Sequence, residues 1–210
     1  MDGVLANTEA LHARAWVQVL ARYGVSVDER FFDRWIGIPN LETARDLVQR
    51  FGLSLSVERL IDEREALYLA LVDRELRPLP GLAESLAALG LPMAVATSSS
   101  RAAAARVLAH LGIRRRFSAV VTIEDVARPK PDPEVYARAA AGLRLAPREC
   151  AAVEDSPAGV ESARAAGCRV VAVTTTHSAG RLGAAHEVHP NALAAIASIA
   201  AAARARQRRP

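Results

Sequence analysis

Lysine is almost absent from this chain. Of its 27 basic residues, 26 are arginines and the single lysine is Lys130. A compact ammonium on a flexible stem reaches an anionic site differently from a planar guanidinium fork. Its retention in the proline-bounded loop Arg128-Pro129-Lys130-Pro131-Asp132-Pro133 is therefore a pointer to chemistry. Cysteine is nearly as scarce. Cys150 and Cys168 sit in apolar sequence and are expected as buried, reduced thiols of a cytoplasmic protein rather than as a disulfide. No apolar run reaches membrane-spanning length and no secretory signal opens the chain, so no membrane partner is expected. Internal repeats are absent. The tail 204–210 is basic and carries Arg204, Arg206, Arg208 and Arg209. Without those four arginines the remaining 23 basic residues equal the 23 acidic ones. The tail is expected to be a solvated end, with nucleic acid not expected as a partner.

What is present is enough for one sizeable core or a core with a small insert: 210 residues, 51% of them hydrophobic. Asn7-Thr8-Glu9 can cap a helix over 10–23. From 27 to 76 no strand signal appears, and the pattern predicts helices over 31–36, 41–51 and 56–76, separated at Gly37-Ile38-Pro39-Asn40 and Gly52. After the stiff junction Pro78-Leu79-Pro80-Gly81 the pattern changes. Short aliphatic strands at 93–97, 119–122, 151–154 and 170–174 alternate with helices at 82–89, 101–111, 134–141, 158–166 and 192–203. That alternation predicts an α/β fold, a Rossmann-like parallel sheet covered by helices on both faces. The expected division is an α/β core of residues 1–11 and 80–210 with a helical unit of 12–79 inserted.

In such sheets ligands bind beyond the carboxyl ends of the strands. That rule gathers Asp2, Thr97-Ser98, the Lys130 loop and Glu154-Asp155 at one edge. Glu154 and Asp155 are adjacent acids suited to a hard, oxygen-ligated cation such as Mg²⁺; Asp155 and Ser156 ahead of Pro157 also suit simple helix capping. Thr97 and Ser98 offer hydroxyl and amide groups at a strand-to-helix turn, where phosphate is readily held, or they cap the helix alone. Lys130 can neutralise phosphate and carboxylate together, or be a surface lysine. His12 and Trp16 are neighbours one turn apart on the first helix, consistent with plain packing.

In this order the segments resemble the haloacid dehalogenase superfamily, in the beta-phosphoglucomutase-like phosphatase subfamily with a small helical cap. Asp2-Gly3-Val4-Leu5 matches the end of its first motif and Thr97 the hydroxyl of the second. Lys130-Pro131-Asp132-Pro133-Glu134 matches the third, and Val153-Glu154-Asp155-Ser156 with Gly159 the fourth. The resemblance implies a Mg²⁺-dependent phosphatase acting on a small phosphorylated metabolite, with a sugar phosphate as one candidate, through an aspartyl-phosphate. Asp2 would be the general acid/base and touch Mg²⁺ through its backbone carbonyl. Thr97, Ser98, Gly3 and Lys130 would hold the phosphoryl group, and Glu154 and Asp155 the metal. The helical unit would be a lid, with His12 and Asn40 as substrate contacts. A monomer is expected.

The sequence also departs from that pattern. The first motif is Asp-x-Asp-Gly, and Met1 occupies its x position. The strand before Asp2 and the nucleophilic aspartate would therefore precede Met1, and the true start is expected several residues upstream. The alternative is a phosphate-binding pseudoenzyme without turnover. Asn40 stands near where the mutase has a substrate-gripping arginine, and Ser100-Arg101 replace its Lys-Asn pair. These differences favour a phosphatase over a sugar phosphomutase.

Overall fold

The computed structural model describes residues 1–207, and Gln207 only through its backbone. Arg208 and Arg209 of the tail lie outside the described residues. The chain divides into two compact units: residues 7–76, and residues 1–6 with 77–207. Sequence patterning set the junctions at 12 and 79. The helical unit takes in all of its first helix, because residues 11, 15, 16, 19 and 20 of that helix are buried.

The helical unit contains α1 (Glu9–Ala21), a 3-10 helix (Glu29–Trp35), α2 (Asn40–Phe51) and α3 (Val57–Glu75). Its core is Trp16, Val19, Leu20, Phe32, Ala44, Leu47 and Leu60, all buried at helical spacing along their elements. Local chemistry sets the ends. The Asp28 carboxylate accepts from Phe31 N at 3.0 Å and starts the 3-10 helix. The Ser56 hydroxyl accepts from Arg59 N at 3.2 Å and starts α3. Gly52, left-handed at φ 59°, ends α2. The expected cap on α1 has a different form. Thr8 holds the N-cap position with φ −103° and ψ −9°, and its side chain accepts no capping hydrogen bond. A capping side chain reaches the first-turn amides from an extended backbone, which Thr8 does not have.

The other unit contains α4 (Leu82–Leu89), β1 (Ala94–Ala96), α5 (Arg101–His110), β2 (Ala119–Val121), α6 (Glu134–Gly142), β3 (Ala151–Glu154), α7 (Pro157–Ala166), β4 (Arg169–Val173), β5 (Glu187–His189) and α8 (Ala192–Gln207). All its strand pairs are parallel. They form two ladders, β1–β2 and β3–β4–β5. β4 is covered on both faces. Val170 and Ala172 join the cluster built with Tyr136 and Ala139 of α6 and Val160 and Ala163 of α7. Val171 and Val173, which alternate to the other face, are buried as well. β5 has no counterpart in the sequence-based expectation, because Glu187-Val188-His189 is short and polar. α8 runs on to Gln207, so Arg204 and Arg206 are exposed helical residues.

Residues 1–6 fold as a tight turn. Asp2 pairs with Ala6 in an isolated parallel bridge, Gly3 N donates to Ala6 O at 2.8 Å and Leu5 N to Met1 O at 2.7 Å. Gly3 has φ +65°, a conformation that disfavours any side chain. Cys168 is buried and Cys150 only half-buried, and burial pushes the Cys168 thiol up to about 11. Among the described residues no helix is long and apolar enough to cross a membrane.

Candidate active site

Four loops of the α/β unit meet, each leaving a strand or tight turn. The first carries Asp2. Its Oδ2 accepts from Ser99 Oγ at 2.6 Å and from Thr97 Oγ1 at 3.5 Å, the latter at the limit of a hydrogen bond. Thr97 follows β1 directly and its amide extends the ladder to Val121 O at 3.0 Å. The Thr97 hydroxyl also accepts from Ser99 N at 3.1 Å, so the turn after β1 is folded around that oxygen. Ser98 lies at the exposed tip of this turn. Ser100 then caps α5 by accepting from Ala103 N at 3.0 Å.

The third loop delivers Lys130. Glu134, the acid that closes the Lys-Pro-x-Pro pattern, accepts from Ala127 N at 2.9 Å and Arg128 N at 3.1 Å and so ties the loop to α6. Ser162 Oγ donates to Asp132 O at 2.6 Å and ties it to α7. The Lys130–Pro131 peptide is cis. Thus held, Lys130 Nζ donates to Glu154 Oε1 at 2.5 Å and reaches Ala96 O at 3.4 Å, linking the ends of β3 and β1. The ammonium lies 5.0 Å from the centre of the Tyr136 ring.

Glu154 and Asp155 close β3, and their surroundings differ. Both Glu154 oxygens are engaged. Oε1 accepts from Lys130 and from Tyr136 OH at 2.5 Å; Oε2 accepts from Asp155 N at 3.1 Å and Ser156 Oγ at 3.2 Å. Burial pushes the Glu154 carboxyl up, but the Lys130 charge, the Met1 ammonium and the hydrogen bonds from Lys130 and Tyr136 outweigh it and hold the group down at about 2. Gly159 is required beside it, since a Cβ there would overlap the Glu154 carboxylate. Asp155 Oδ2 accepts from a neutral hydroxyl, Thr176 Oγ1, at 2.7 Å. Burial first, and the Glu154 charge second, push the Asp155 carboxyl up to about 6. The Asp2 turn is packed directly on it: a Cβ at Gly3 would fall within the Asp155 carboxylate.

This donor set suits Mg²⁺ in a particular way. Among the described residues no group of three or more His, Cys, Asp or Glu side chains is arranged to hold a metal. The expected set of Asp2, Glu154 and Asp155 is therefore not a cage of three carboxylates. Mg²⁺ commonly takes only one or two protein carboxylates and completes its shell with water and substrate phosphate. Asp155 fits that requirement, being buried, acidic and hydrogen-bonded by a neutral group. Glu154 fits it less well, since its oxygens already serve Lys130, Tyr136 and Ser156.

The structure brings Asp2, Gly3, Thr97, Lys130, Glu154 and Asp155 together, and adds residues that sequence reasoning missed. Ser99, Tyr136 and the run Thr175-Thr176-His177 all touch the expected residues. The run begins two residues beyond the end of β4, so the rule that picked out the other strand ends applies to it also. His12 and Asn40 belong to the helical unit. His12 stacks on Tyr68, ring centres 4.1 Å apart, and its Nδ1 meets the Arg64 guanidinium. Guanidinium only donates, so Nδ1 accepts in that contact. Asn40 is half-buried at the first position of α2.

The family model described as haloacid dehalogenase-like hydrolase matches residues 1–173. The chain is 36% identical over 186 residues to the validoxylamine A 7'-phosphate phosphatase of Streptomyces hygroscopicus subsp. limoneus, covering 87% of this chain and 86% of that one. It is 35% identical over 175 residues to the fructose-1-phosphate phosphatase YqaB of Escherichia coli, covering 82% and 93%. A crystal structure of CbbY from Rhodobacter sphaeroides in complex with phosphate superposes with a TM-score of 0.81 at 25% identity, over 92% of each chain.

Proposed function

Since this chain belongs to the haloacid dehalogenase-like hydrolase family, we propose that it is a Mg²⁺-dependent phosphatase releasing phosphate from a small phosphorylated metabolite of the sugar phosphate class. The observation that carries this reading is the juxtaposition of Lys130, Glu154 and Asp155 with the Asp2–Gly3 turn. A phosphoryl group needs its charge offset and its geometry held, and these groups supply both. The two phosphatases named above support the substrate class.

In this reading Thr97 Oγ1 and the Ser98 amide donate to phosphoryl oxygens, and the Lys130 ammonium offsets their charge. Asp2 hands a proton to the leaving alkoxide and later takes one from the attacking water. The hydrogen bond from Ser99 aims the Asp2 carboxylate for that exchange. Asp155, with the Asp2 backbone carbonyl, would hold Mg²⁺. When bound, the ion would neutralise phosphoryl charge and help align the displacement. By the resemblance, the route passes through an aspartyl-phosphate. By the same resemblance, the helical unit would serve as a cap, with His12 and Asn40 as substrate contacts.

A phosphatase is favoured over a phosphomutase by Arg101. It stands in the Lys-Asn pair of the mutase, yet here it is bound to Asp125 at 2.7 Å and lies toward Glu124. The test is phosphate release from a panel of sugar phosphates by protein purified from its own source, with and without Mg²⁺ and a sugar bisphosphate. Release that needs Mg²⁺ and no bisphosphate is expected. Isomerised sugar phosphate formed only with bisphosphate would make it a mutase. Binding of phosphate without turnover would make it a pseudoenzyme.

A further inference from the structure

The segment 175–177 lies just beyond residue 173, where the family match ends, yet it touches two of the loops that build the site. Thr175 Oγ1 donates to the Gly3 carbonyl. Thr176 Oγ1 lies 2.7 Å from Asp155 Oδ2 and 2.9 Å from Asp155 O. His177 is buried, and its Nδ1 lies 3.1 Å from Asp155 O and 3.0 Å from Thr176 Oγ1. A consistent proton assignment follows. His177 Nδ1–H donates to the Asp155 carbonyl, which frees the single Thr176 proton for the carboxylate. The Thr176 methyl completes the contact, since Cγ2 would lie 3.0 Å from a Cβ on Gly3. Three consecutive residues therefore hold one carboxylate, its own carbonyl and the carbonyl of the facing turn.

We propose that Thr176 is a positioning residue that orients the Asp155 carboxylate toward a divalent cation, with Thr175 and His177 fixing the backbone on either side of it. This rests on the phosphatase reading, in which Asp155 is the metal ligand. Hydrogen-bond partners that orient a metal ligand are commonly worth about 10–100-fold in metal affinity. The segment matters because Thr176 Oγ1 donates to Asp155 Oδ2, whereas the oxygens of Glu154 are already engaged on both sides.

The test is Mg²⁺ binding measured directly by titration calorimetry, without substrate, on the full protein and on Thr176→Val and Thr176→Ser. Thr176→Val keeps the shape and removes the hydroxyl; Thr176→Ser restores it. Thermal unfolding of each variant checks the fold, and Thr176→Ala replaces Thr176→Val if the extra methyl is not accommodated. The expected result is a loss of Mg²⁺ affinity of about tenfold or more in Thr176→Val, with Thr176→Ser within about threefold of the parent. A folded Thr176→Val that binds Mg²⁺ as tightly as the parent overturns the proposal and leaves the phosphatase reading standing. Equal loss in Thr176→Ser also overturns it, since the hydroxyl is then not the cause. A parent that neither binds Mg²⁺ nor releases phosphate overturns the phosphatase reading and this role with it.

Discussion

At the scale of single residues, the site depends on groups whose neighbours leave them little freedom. Lys130 and Glu154 have side-chain exposures of 11% and 6%, so they behave as a buried pair rather than a screened surface one. Lys130→Ala would strand the Glu154 charge and is expected to destabilise the fold by about 3–5 kcal/mol, read by urea unfolding. An unchanged unfolding midpoint would show that Glu154 does not depend on Lys130. Gly3→Ala combines a left-handed backbone with an overlap on the Asp155 carboxylate. A loss of roughly 1–3 kcal/mol, together with loss of phosphatase activity, is expected. Residue type made part of the site readable in sequence. The lone lysine, the adjacent acids and the Asp-Gly turn are unusual residues at strand ends. Ser99, Tyr136 and Thr176 were not readable, because hydroxyl residues are common and their importance comes from which carboxylate the fold brings to them. His177 carries no local signal of its partner, a carbonyl 22 positions away.

At the scale of elements, caps and loop ties determine where each strand end points. Asp125 closes the short helix after β2. It accepts from Thr122 N at 2.8 Å, Thr122 Oγ1 at 2.7 Å and Arg101 at 2.7 Å. The Thr122 hydroxyl and amide, and then Arg101, hold its carboxyl down at about 2 from the ordinary 3.8. A depressed folded value means that the stabilisation is complete above pH 3.8 and is lost as pH falls toward 2. Solvent screening limits it to about 1 kcal/mol. Asp125→Asn is therefore expected to be less stable than the parent at neutral pH and to approach it near pH 2, measured by denaturant titration across pH. A difference that persists unchanged at pH 2 would assign the effect to shape rather than charge. Helix and strand boundaries were largely legible because apolar period and cap residues agree, as at Ser56, whereas α5 is capped by Ser100 and not by the Thr97-Ser98 pair that the sequence offered. β5 was not, since its pairing with β4 rather than its own composition makes Glu187-Val188-His189 a strand. Thr8 has the right residue type for a side-chain cap and the wrong backbone conformation, which residue type cannot reveal.

At the scale of the whole molecule the chain forms two compact units: one carries the residues gathered at the strand ends, and the described elements of the other are all helices. The parallel sheet was legible from alternating strands and helices, while its separation into two ladders was not, because ladder continuity depends on which strands lie side by side. The central claim concerns chemistry, and one measurement tests it most directly. Inorganic phosphate release from sugar phosphates would be followed with protein purified from its own source, in parallel with its Asp155→Asn variant, as Mg²⁺ is varied. The account predicts turnover that vanishes when Mg²⁺ is chelated, returns when it is restored, and falls at least about 100-fold in Asp155→Asn at every Mg²⁺ concentration. Turnover indifferent to Mg²⁺, or undiminished in Asp155→Asn, would contradict it.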